Sequence, residues 1–486
     1  MLLTAIIALP AIGAIVCALS PKGGSSARWI ALVFSSATLV LVGWAVVGFD
    51  VAQRGMQFVV NAPWVPQVGI RYHLGVDGIS LPMVALSALL TVLAVLASWK
   101  VDKDVSSYFA MMLLLEVGMN GVFLALDFVL FYVFWELVLV PMFFLIGNWG
   151  GPNRRYASMK FFLYTLAGSV FMLVGILALY VNAHGGTFDI VALAGRPFDP
   201  TFQWWVFLAF FLAFAVKVPM WPLHTWLPDA HVEAPTAASV LLAGVLLKMG
   251  AYGFLRVSLP ILPSAARDWA WFIATLAAIS IVYGAAVAFA QKDLKKLVAY
   301  SSVSHMGFVM LGIASLTVAG TDGAVAVMFS HGLLTGLLFL IVGMIYERTH
   351  TRQIADLSGL SAAVPRLGGL LAFASIASLG LPGLSGFVGE FLSLVGAWQS
   401  SLPRLVVVVS AVGVLLSAAY LLWMVQRVVQ GTPSEKVAAM SDATPLELTT
   451  AIPLIALSLG VGLYWGLLLR FVDPAAHALL AVMGAR

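Results

Sequence analysis

The sequence predicts an all-α polytopic membrane protein that forms a single membrane domain over residues 1–486. Of the 486 residues, 62% are hydrophobic and only 9% are charged, whereas a soluble domain carries about 25% charged residues. The mean hydropathy is +1.03. Apolar runs of about 20 residues recur along the chain, each long enough to cross a bilayer. Because only helices and closed barrels can span lipid, runs this continuous are expected to be helices.

Fourteen such runs are joined by short polar connections, without a linker or low-complexity tract that would mark a domain boundary. The first run lacks a charged start and an A-x-A cleavage site, so it is predicted to be a span rather than a signal peptide. The predicted spans lie near residues 1–20, 28–49, 79–100, 106–125, 127–147, 158–182, 204–225, 232–257, 268–289, 295–319, 321–346, 367–398, 403–429 and 448–472.

The lysines and arginines of the connecting loops predict the orientation of the chain. If the spans alternate in direction, fifteen basic residues, among them Lys22, fall on one side and eight, among them Arg486, on the other. Cytoplasmic loops carry the excess of basic residues, so the first side is predicted to be cytoplasmic and both termini to lie on the outer side. The net charge of +4 follows from this loop topology and gives no reason to expect a nucleic-acid partner.

Five charged side chains fall deep inside the predicted spans, away from their ends. A charge in the middle of a membrane is unfavourable by at least about 2.5–3.5 kcal/mol, and such residues usually mark an ion or proton path. The other interpretation is a structural ion pair that holds two helices together. It stays open for all five, most of all for Glu116, which has no evident partner. The five residues are Glu116, Glu136, Lys217, Lys248 and Glu390.

Spans seven and twelve are interrupted by helix breakers. In span seven, Pro219 and Pro222 follow Lys217, and in span twelve Pro382 and two glycines precede Glu390. A helix broken at membrane depth frees backbone groups that must face protein or water. Each break lies beside a titratable residue, so the sequence predicts a polar cavity at both places.

The two breaks also predict an internal repeat. Spans seven and twelve are five apart, and an odd offset turns the second span upside down relative to the first. This offset predicts an inverted-topology repeat, with spans four to eight (106–257) as the first unit and spans nine to thirteen (268–429) as the second.

Two histidines, His305 and His331, are predicted at membrane depth. Imidazole titrates close to neutrality, so both are candidates for a proton relay. The other interpretation, that each is an ordinary hydrogen-bonded core histidine, stays open. His224 and His231 lie at the end of span seven and in the loop that follows, where we expect hydrogen-bond partners at the membrane interface.

The chain offers no motif for a redox cofactor. Its single cysteine, Cys17, cannot supply the thiolates of an iron–sulfur cluster. The sequence contains neither a nucleotide-binding glycine motif nor a metal-spaced set of cysteines and histidines. A bis-histidine haem on His305 and His331 is weakly supported, because that pair is not repeated. We therefore expect no cofactor in this chain and any redox chemistry in another subunit.

Four stretches of the sequence resemble one known family, the antiporter-like subunits of respiratory complex I, and most closely its branch called subunit M. The resemblance extends from about Leu74 to Gln430. The four stretches are "FYVFWELVLVPMFFLIGNWGG" (131–151), "KVPMWPLHTWLPDAHVEAPTAASVLLAGVLLKMGAYGFLR" (217–256), "KKLVAYSSVSHMGF" (295–308) and "LPGLSGFVGEF" (381–391).

The resemblance implies a fold and a function. The implied fold has about fourteen transmembrane helices in two inverted five-helix repeats, with helices seven and twelve broken. The implied function is proton translocation coupled to electron transfer from NADH to quinone elsewhere in the complex. The implied partners are neighbouring membrane subunits and the lipid bilayer. The implied location is an energy-transducing membrane such as the bacterial inner membrane.

The resemblance also implies roles for six residues. Glu136 is similar to the acid on helix five that pairs with the helix-seven lysine, here Lys217. Lys248 is similar to the central lysine on helix eight. His305 and His331 resemble residues that link two half-channels, and Glu390 resembles the terminal titratable residue on broken helix twelve. The resemblance implies no role for Glu116.

The residue at position 390 separates the branches of this family, since subunits L and N carry lysine there and subunit M carries glutamate. One alternative is a subunit of a multi-subunit sodium/proton antiporter, whose members share the fold. A structural membrane spacer is a further alternative, and five charged groups at membrane depth argue against it.

Overall fold

The computed structural model describes residues 1–21, 25–183 and 186–484. Lys22 and Arg486, two of the basic residues from which the orientation of the chain was predicted, lie outside the described residues. Within these ranges thirteen helices are long and apolar enough to cross a membrane, and two shorter helices, Pro365–Ser378 and Ser385–Gln399, are counted here together as one further, broken span. The predicted class of a helical polytopic membrane protein is confirmed, and the spans are numbered in chain order below.

The bounds of the spans agree with the predicted runs to within a few residues in most cases. Spans one to six are Leu2–Leu19, Ser26–Val47, Ser80–Ala97, Val105–Leu124, Phe128–Trp149 and Arg154–Asn182. Span seven consists of Pro200–Lys217 and Trp226–Glu233. Spans eight to eleven are Thr236–Ile261, Pro263–Phe289, Leu294–Ala314 and Val318–Thr349. Span twelve consists of Pro365–Ser378 and Ser385–Gln399. Spans thirteen and fourteen are Arg404–Val428 and Pro445–Leu463.

The spans differ in how deeply they lie inside the protein. Spans eight and eleven are buried along the whole of their apolar length (100%) and span ten almost so (94%), whereas span two is 28% buried and span thirteen 33%. Spans eight, ten and eleven therefore form the centre of the bundle, and the less buried spans, such as two and thirteen, offer apolar side chains to lipid. Lys248, His305 and His331 lie on these three central spans.

Span seven breaks directly after Lys217, as its prolines lead one to expect. The freed carbonyl of Val216 accepts a hydrogen bond from the indole Nε1 of Trp226 (2.9 Å). A side chain from the second half of the span thus supplies a hydrogen-bond donor to the backbone of the first half. Span eight lies close against this break. A Cβ atom added to Gly250 would be 2.8 Å from the carbonyl oxygen of Phe214, and only glycine permits such an approach.

Span twelve breaks between Ser378 and Ser385. Gly380 and Gly383 have φ values of +83° and +93°, a backbone conformation that glycine adopts without strain. A helix of its own, Leu360–Ala363, comes shortly before the span, and the helical stretch Ile354–Ala363 is bent by 115° relative to Pro365–Ser378. That stretch therefore does not continue span twelve.

A β-hairpin between spans two and three is an addition to the predicted all-α architecture. Its strands, Gln57–Val65 and Ile70–Val76, pair antiparallel. Leu126, two residues after span four, donates its backbone N–H to the carbonyl of His73 (2.9 Å). The hairpin thus covers one end of the bundle, which we call the hairpin face.

The last predicted run, 448–472, is two helices rather than one. Span fourteen ends at Leu463, and a second helix, Gly466–Val482, follows after an extended residue, Tyr464. In the second helix the buried residues Leu468, Val472, Ala476 and Leu479 recur at helical spacing. One apolar face of this kind is typical of a helix that lies along a surface, so the run does not form one continuous span.

Candidate functional site

Lys248 and His331 form a hydrogen-bonded pair in the centre of the bundle. The Nζ of Lys248 lies 2.7 Å from Nδ1 of His331. The two residues belong to spans eight and eleven, and their side chains are buried, with 0% and 4% of the residue surface exposed. The sequence predicted both as titratable residues at depth, and the structure brings them into direct contact across 83 positions of the chain.

The local geometry of span eight is unusual on both sides of Lys248. Two π-helical segments, Leu242–Leu246 and Phe254–Ser258, flank the α-helical stretch Leu247–Gly253. The wider π turn releases backbone carbonyls from their ordinary partners, and π-bulges frequently occur at functional sites. The Nζ of Lys248 donates to one of these carbonyls, that of Ala243. The helix therefore supplies a local acceptor for a lysine that forms no ion pair with an acidic residue in the described ranges.

His305 and Glu390 form a second hydrogen-bonded pair, between spans ten and twelve. The Nδ1 of His305 lies 2.9 Å from Oε1 of Glu390. Both side chains are buried, with 8% and 5% of their surface exposed. The other ring nitrogen of His305 is 3.4 Å from the hydroxyl of Tyr420 on span thirteen. Tyr420 was missed by the sequence analysis, because a single tyrosine in an apolar run carries no signal of its own.

The two pairs adjoin one another. The ring centroids of His305 and His331 are 5.7 Å apart, and a small cavity lined by both rings and by Glu390 also contacts polar side chains of Ser330 and Thr335. The four residues thus run in one continuous order, Lys248, His331, His305 and Glu390. A gap of this size between two imidazoles, beside hydroxyl groups, fits a bridging water.

Glu390 has one oxygen committed to His305 and one that faces the break in span twelve. Its Oε2 has no hydrogen-bond partner among the described residues, and a Cβ atom on Gly380 would lie 3.0 Å from it. The broken segment therefore approaches the carboxyl group closely, and Gly380 is the residue that leaves room for it.

Lys217 stands apart from this order. It is 1% exposed, and its Nζ finds no hydrogen-bond partner within the described ranges. Two aromatic rings lie near Nζ, with the ring centroids of Trp135 and Phe161 at 5.3 Å and 6.0 Å. A cation over an aromatic face is a favourable arrangement, so the rings provide the ammonium group with partial compensation for its burial.

Glu136 and Lys217 do not form the ion pair that the resemblance implied. No nitrogen–oxygen contact of 4.0 Å or less joins them, and Oε1 of Glu136 has no hydrogen-bond partner in the described part of the chain. Trp135, the neighbour of Glu136, places its ring next to the lysine instead. In this conformation Glu136 of span five and Lys217 of span seven make no direct contact.

The expectation for His224 and His231 is wrong. Residues 226–233 form the second half of span seven rather than a loop, so His231 is fully buried and stacks on Phe339 with ring centroids 4.5 Å apart. His224 is 2% exposed and lies 5.1 Å from the ring of Tyr283. The ring nitrogens of both histidines lack hydrogen-bond partners among the residues that the structure describes.

Lys295, the first residue of predicted span ten, is a third buried lysine, which the sequence analysis did not place among the charged residues at membrane depth. Only 6% of it is exposed, and its Nζ donates to the carbonyl of Ala234 (2.6 Å), between span seven and span eight. It lines a cavity with Glu233 and Arg352 at the end of the bundle opposite the hairpin face. The predicted start of span ten at residue 295 was the available signal, since it placed this lysine at the boundary.

An ion pair closes the bundle near the hairpin face. Arg256 of span eight contacts Asp77, which lies just before span three, and Nε of Arg256 donates to the hydroxyl of Tyr252 (3.0 Å). Burial would raise the pKa of Asp77, but the charge and hydrogen bond of Arg256 and the backbone N–H groups of Ser80 and Ile79 outweigh burial, so this pKa lies below its usual value.

Comparison with known proteins places most of the chain in one family. Residues 125–417 match the family described as NADH:quinone oxidoreductase/Mrp antiporter, TM, and residues 27–126 match the one described as NADH-ubiquinone oxidoreductase chain 4, amino terminus. The NADH-quinone oxidoreductase subunit M of Rhodobacter capsulatus is 48% identical over 496 residues, which cover 98% of this chain and 96% of that protein.

Two solved structures have the same architecture. A chain of respiratory complex I from Thermus thermophilus with bound NADH has a TM-score of 0.92 at 33% sequence identity, and the match covers 100% of both chains. A chain of the Mrp complex from Dietzia sp. DQ12-45-1b has a TM-score of 0.85 at 25% identity, and the match covers 98% of this chain and 51% of that one.

Proposed function

We propose a function from the premise that this chain belongs to the NADH:quinone oxidoreductase/Mrp antiporter transmembrane family. The chain is a proton-translocating subunit in the membrane part of an NADH:quinone oxidoreductase. It assembles with other antiporter-like membrane subunits and resides in an energy-transducing membrane, the inner membrane of a bacterial cell, with both termini on the outer side. Residues 106–257 and 268–429 act as two inverted repeats, each with one broken span.

The observation that carries this proposal is the continuous order of Lys248, His331, His305 and Glu390 across four spans. All four side chains bind and release protons, and each lies close to the next. Charged groups inside a membrane are unfavourable, and those that a sequence contains usually mark a path for ions or protons. A chain of such groups between a central lysine and a carboxyl at a broken helix supports proton transfer.

The transfer proceeds by exchange along hydrogen bonds. The ammonium of Lys248 gives its proton to Nδ1 of His331, and the proton on the far nitrogen of that ring passes by water to His305. His305 then protonates Oε1 of Glu390, whose second oxygen faces the break in span twelve. Each step moves one proton from a nitrogen or oxygen atom to a neighbouring one. Each donor then receives a new proton from the group that precedes it in the path.

Glu136 and Lys217 act as a switch at the start of the path. Burial disfavours the charged form of any side chain, and a nearby opposite charge favours it. A carboxylate that approaches and withdraws therefore makes an amine hold or release its proton. Moving one charge through roughly 150 mV requires about 3.5 kcal/mol, which corresponds to a change of roughly 2.5 pKa units. The open arrangement of Glu136 and Lys217 is the released state of this switch.

Reconstitution of variant complexes in liposomes tests the function. We expect Lys217→Ala and Glu136→Gln each to lower proton pumping about tenfold in assembled complex, since either change removes the switch. The double variant should be no worse than the single ones, because the two residues act as a unit. The measurement is the pH gradient formed during NADH oxidation by quinone, and normal pumping by either single variant contradicts the switch.

The chain acts as a non-redox subunit and binds no cofactor of its own. We expect Cys17→Ser to leave electron transfer in the assembled complex unchanged, because this buried thiol serves only packing. The purified chain alone should neither oxidise NADH nor reduce quinone. Both activities can be followed by NADH absorbance, and a substantial loss of electron transfer in a fully assembled Cys17→Ser complex would contradict this assignment.

A second candidate function is that of a subunit in a sodium/proton antiporter, which the match to the Mrp complex favours. The proposal for the oxidoreductase is preferred because its relative is 48% identical over 98% of this chain and because position 390 is glutamate. A dependence of proton movement on a sodium gradient, without NADH or quinone, would decide for the antiporter.

A further inference from the structure

Span four carries two buried polar side chains that the proposed path does not use. Glu116 and Asn120 are both 0% exposed. Neither oxygen of Glu116, nor the oxygen or nitrogen of the Asn120 amide, has a hydrogen-bond partner in the described part of the protein. A buried polar atom left unpaired is unfavourable. Four such atoms within one turn of helix therefore indicate a site built to hold a small polar ligand.

These two residues share the face of span four that packs on span eight. Glu116, Asn120 and Phe123 follow one another at intervals of four and three residues, which places them on one side of a helix. The ring of Phe123 lies against that of Tyr252, with centroids 5.2 Å apart. The hydroxyl of Tyr252 also donates to the carbonyl of Phe123 (3.0 Å). This face therefore meets the helix that carries Lys248.

The opposite face of span four is closed by span five. A Cβ atom on Gly118 would be 2.6 Å from Cγ2 of Val138, and one on Gly121 would overlap the ring of Phe134. These apolar contacts leave no polar group for Glu116 on that side. Glu116 and Asn120 therefore project away from span five, and span eight is one of the helices on the side that they face.

Spans four and eight run in the same direction. Near the end of span eight, the carbonyl of Pro260 accepts a hydrogen bond from the N–H of Gly195 (3.0 Å), and just beyond the end of span four the carbonyl of Leu126 accepts one from Ile190 (2.9 Å). The ends of both spans thus contact the same short segment, residues 190–195, at the hairpin face. The depth of a residue on either helix can therefore be estimated by counting residues back from the contact between Phe123 and Tyr252.

That comparison places Lys248 at the depth of the polar pair. Lys248 lies four residues before Tyr252, or about 6 Å along the helix at 1.5 Å per residue. On span four, Asn120 and Glu116 lie about 4.5 Å and 10.5 Å before Phe123. Lys248 is therefore between Asn120 and Glu116 in depth, on the span toward which both side chains project.

We propose that Glu116 and Asn120 hold internal water on the span-four side of Lys248 and that Glu116 exchanges a proton with Lys248 through this water. The ligand class is water, and the cargo is a proton. In the exchange, the ammonium of Lys248 gives a proton to the water while the water gives one to the carboxylate of Glu116. An amine and a carboxylic acid result, so two opposite charges disappear together.

This side branch deepens the proposed function and rests on it, since it takes Lys248 to be a proton carrier. Lys248 then has two neighbours that accept its proton, His331 on span eleven and Glu116 on span four. The branch stores a proton beside the path without adding net charge to the centre of the membrane, where a lone charge is unfavourable. Asn120 supplies both a donor and an acceptor to orient the water.

The first test is structural and uses the assembled complex. Electron cryomicroscopy at a resolution that shows water should find ordered water within hydrogen-bonding distance of the Glu116 carboxyl and the Asn120 amide. A dry site overturns the proposal. In Glu116→Leu complex the water should be lost, because a purely apolar side chain leaves it with too few polar partners.

The second test is functional and uses Glu116→Gln, which keeps shape and hydrogen bonding but cannot titrate. We expect proton pumping in liposomes to fall several-fold while assembly is retained. Met112→Leu is the matched control, because Met112 is buried one turn away on the same helix and its exchange alters packing alone. Normal pumping by Glu116→Gln overturns the proton exchange even if the water is present.

The failure of this inference is distinguishable from failure of the proposed function. If Lys248→Met abolishes pumping while Glu116→Gln pumps normally, the path stands and the side branch is wrong. If Lys248→Met pumps normally, the proposed path through Lys248 is wrong, and the side branch is overturned with it.

Discussion

Replacement of Lys248 by methionine is expected to reduce proton pumping by about 100-fold or more in assembled complex, the range that a positioned proton donor contributes. Methionine preserves the length and volume of the side chain but cannot carry a proton. His331 and the carbonyl of Ala243, which now contact Nζ, lose a partner, and the complex should still assemble because a buried charge is removed as well. The pH gradient in liposomes is the measurement.

Lys248→Arg separates a proton carrier from a structural cation. Arginine keeps the positive charge and the ability to donate hydrogen bonds, but its guanidinium is not deprotonated in proteins. If Lys248 carries protons, the arginine variant should therefore not pump. If Lys248 is only a structural cation, the arginine variant should pump normally. Lys436→Met is the control, because Lys436 is an exposed lysine paired with Asp356 at 2.9 Å. Pumping by the arginine variant at the wild-type rate would show that position 248 needs only charge.

Glu390→Gln is expected to reduce pumping strongly, by about 100-fold, while Glu390→Asp should retain partial activity. The amide oxygen of glutamine can still accept a hydrogen bond from Nδ1 of His305, which now lies 2.9 Å from the carboxyl. Geometry is thus preserved, and only the capacity to bind a proton is lost. Aspartate keeps this capacity, but it is shorter by one methylene and reaches His305 less well.

The order among three variants distinguishes the two roles of Glu390. A proton station predicts that Asp and Lys retain more pumping than Gln, since both titrate. A carboxylate that only holds the broken span predicts that Gln is tolerated and that Lys is the most disruptive. The three variants should be compared at matched assembly, with Glu435→Gln, a change of an exposed glutamate, as control. Wild-type pumping by Glu390→Gln would refute the station.

Much of the fold was accessible from the sequence because lipid imposes one rule on every span. A run of about 20 apolar residues has to be a helix, so hydropathy located the spans to within a few residues. The same rule made the prolines after Lys217 and before Glu390 interpretable as breaks. The hairpin at 57–76 escaped notice because it lies outside the membrane, where no such rule applies.

The partners of the charged residues could not be obtained in this way. Lys248 meets His331, and His305 meets Glu390, across 83 and 85 positions of sequence. Such contacts depend on how whole helices are placed, which periodicity does not encode. The resemblance implied roles for all four residues, and these roles stay a prediction. It also implied a contact between Glu136 and Lys217 that the structure does not make. The burial of Lys295 was not predicted, because a charge at the end of an apolar run gives the same pattern whether its side chain is buried or exposed.

The distribution of the path over spans eight, eleven, ten and twelve constrains how such a sequence can change in evolution. Loss or gain of one residue within any of these helices would rotate everything beyond it by about 100° and shift it by about 1.5 Å. The affected side chain would no longer lie next to its neighbours in the path, and no substitution within the same helix would restore that contact. Insertions and deletions should therefore accumulate in the connections and at the chain ends, while the lengths of these four helices stay fixed.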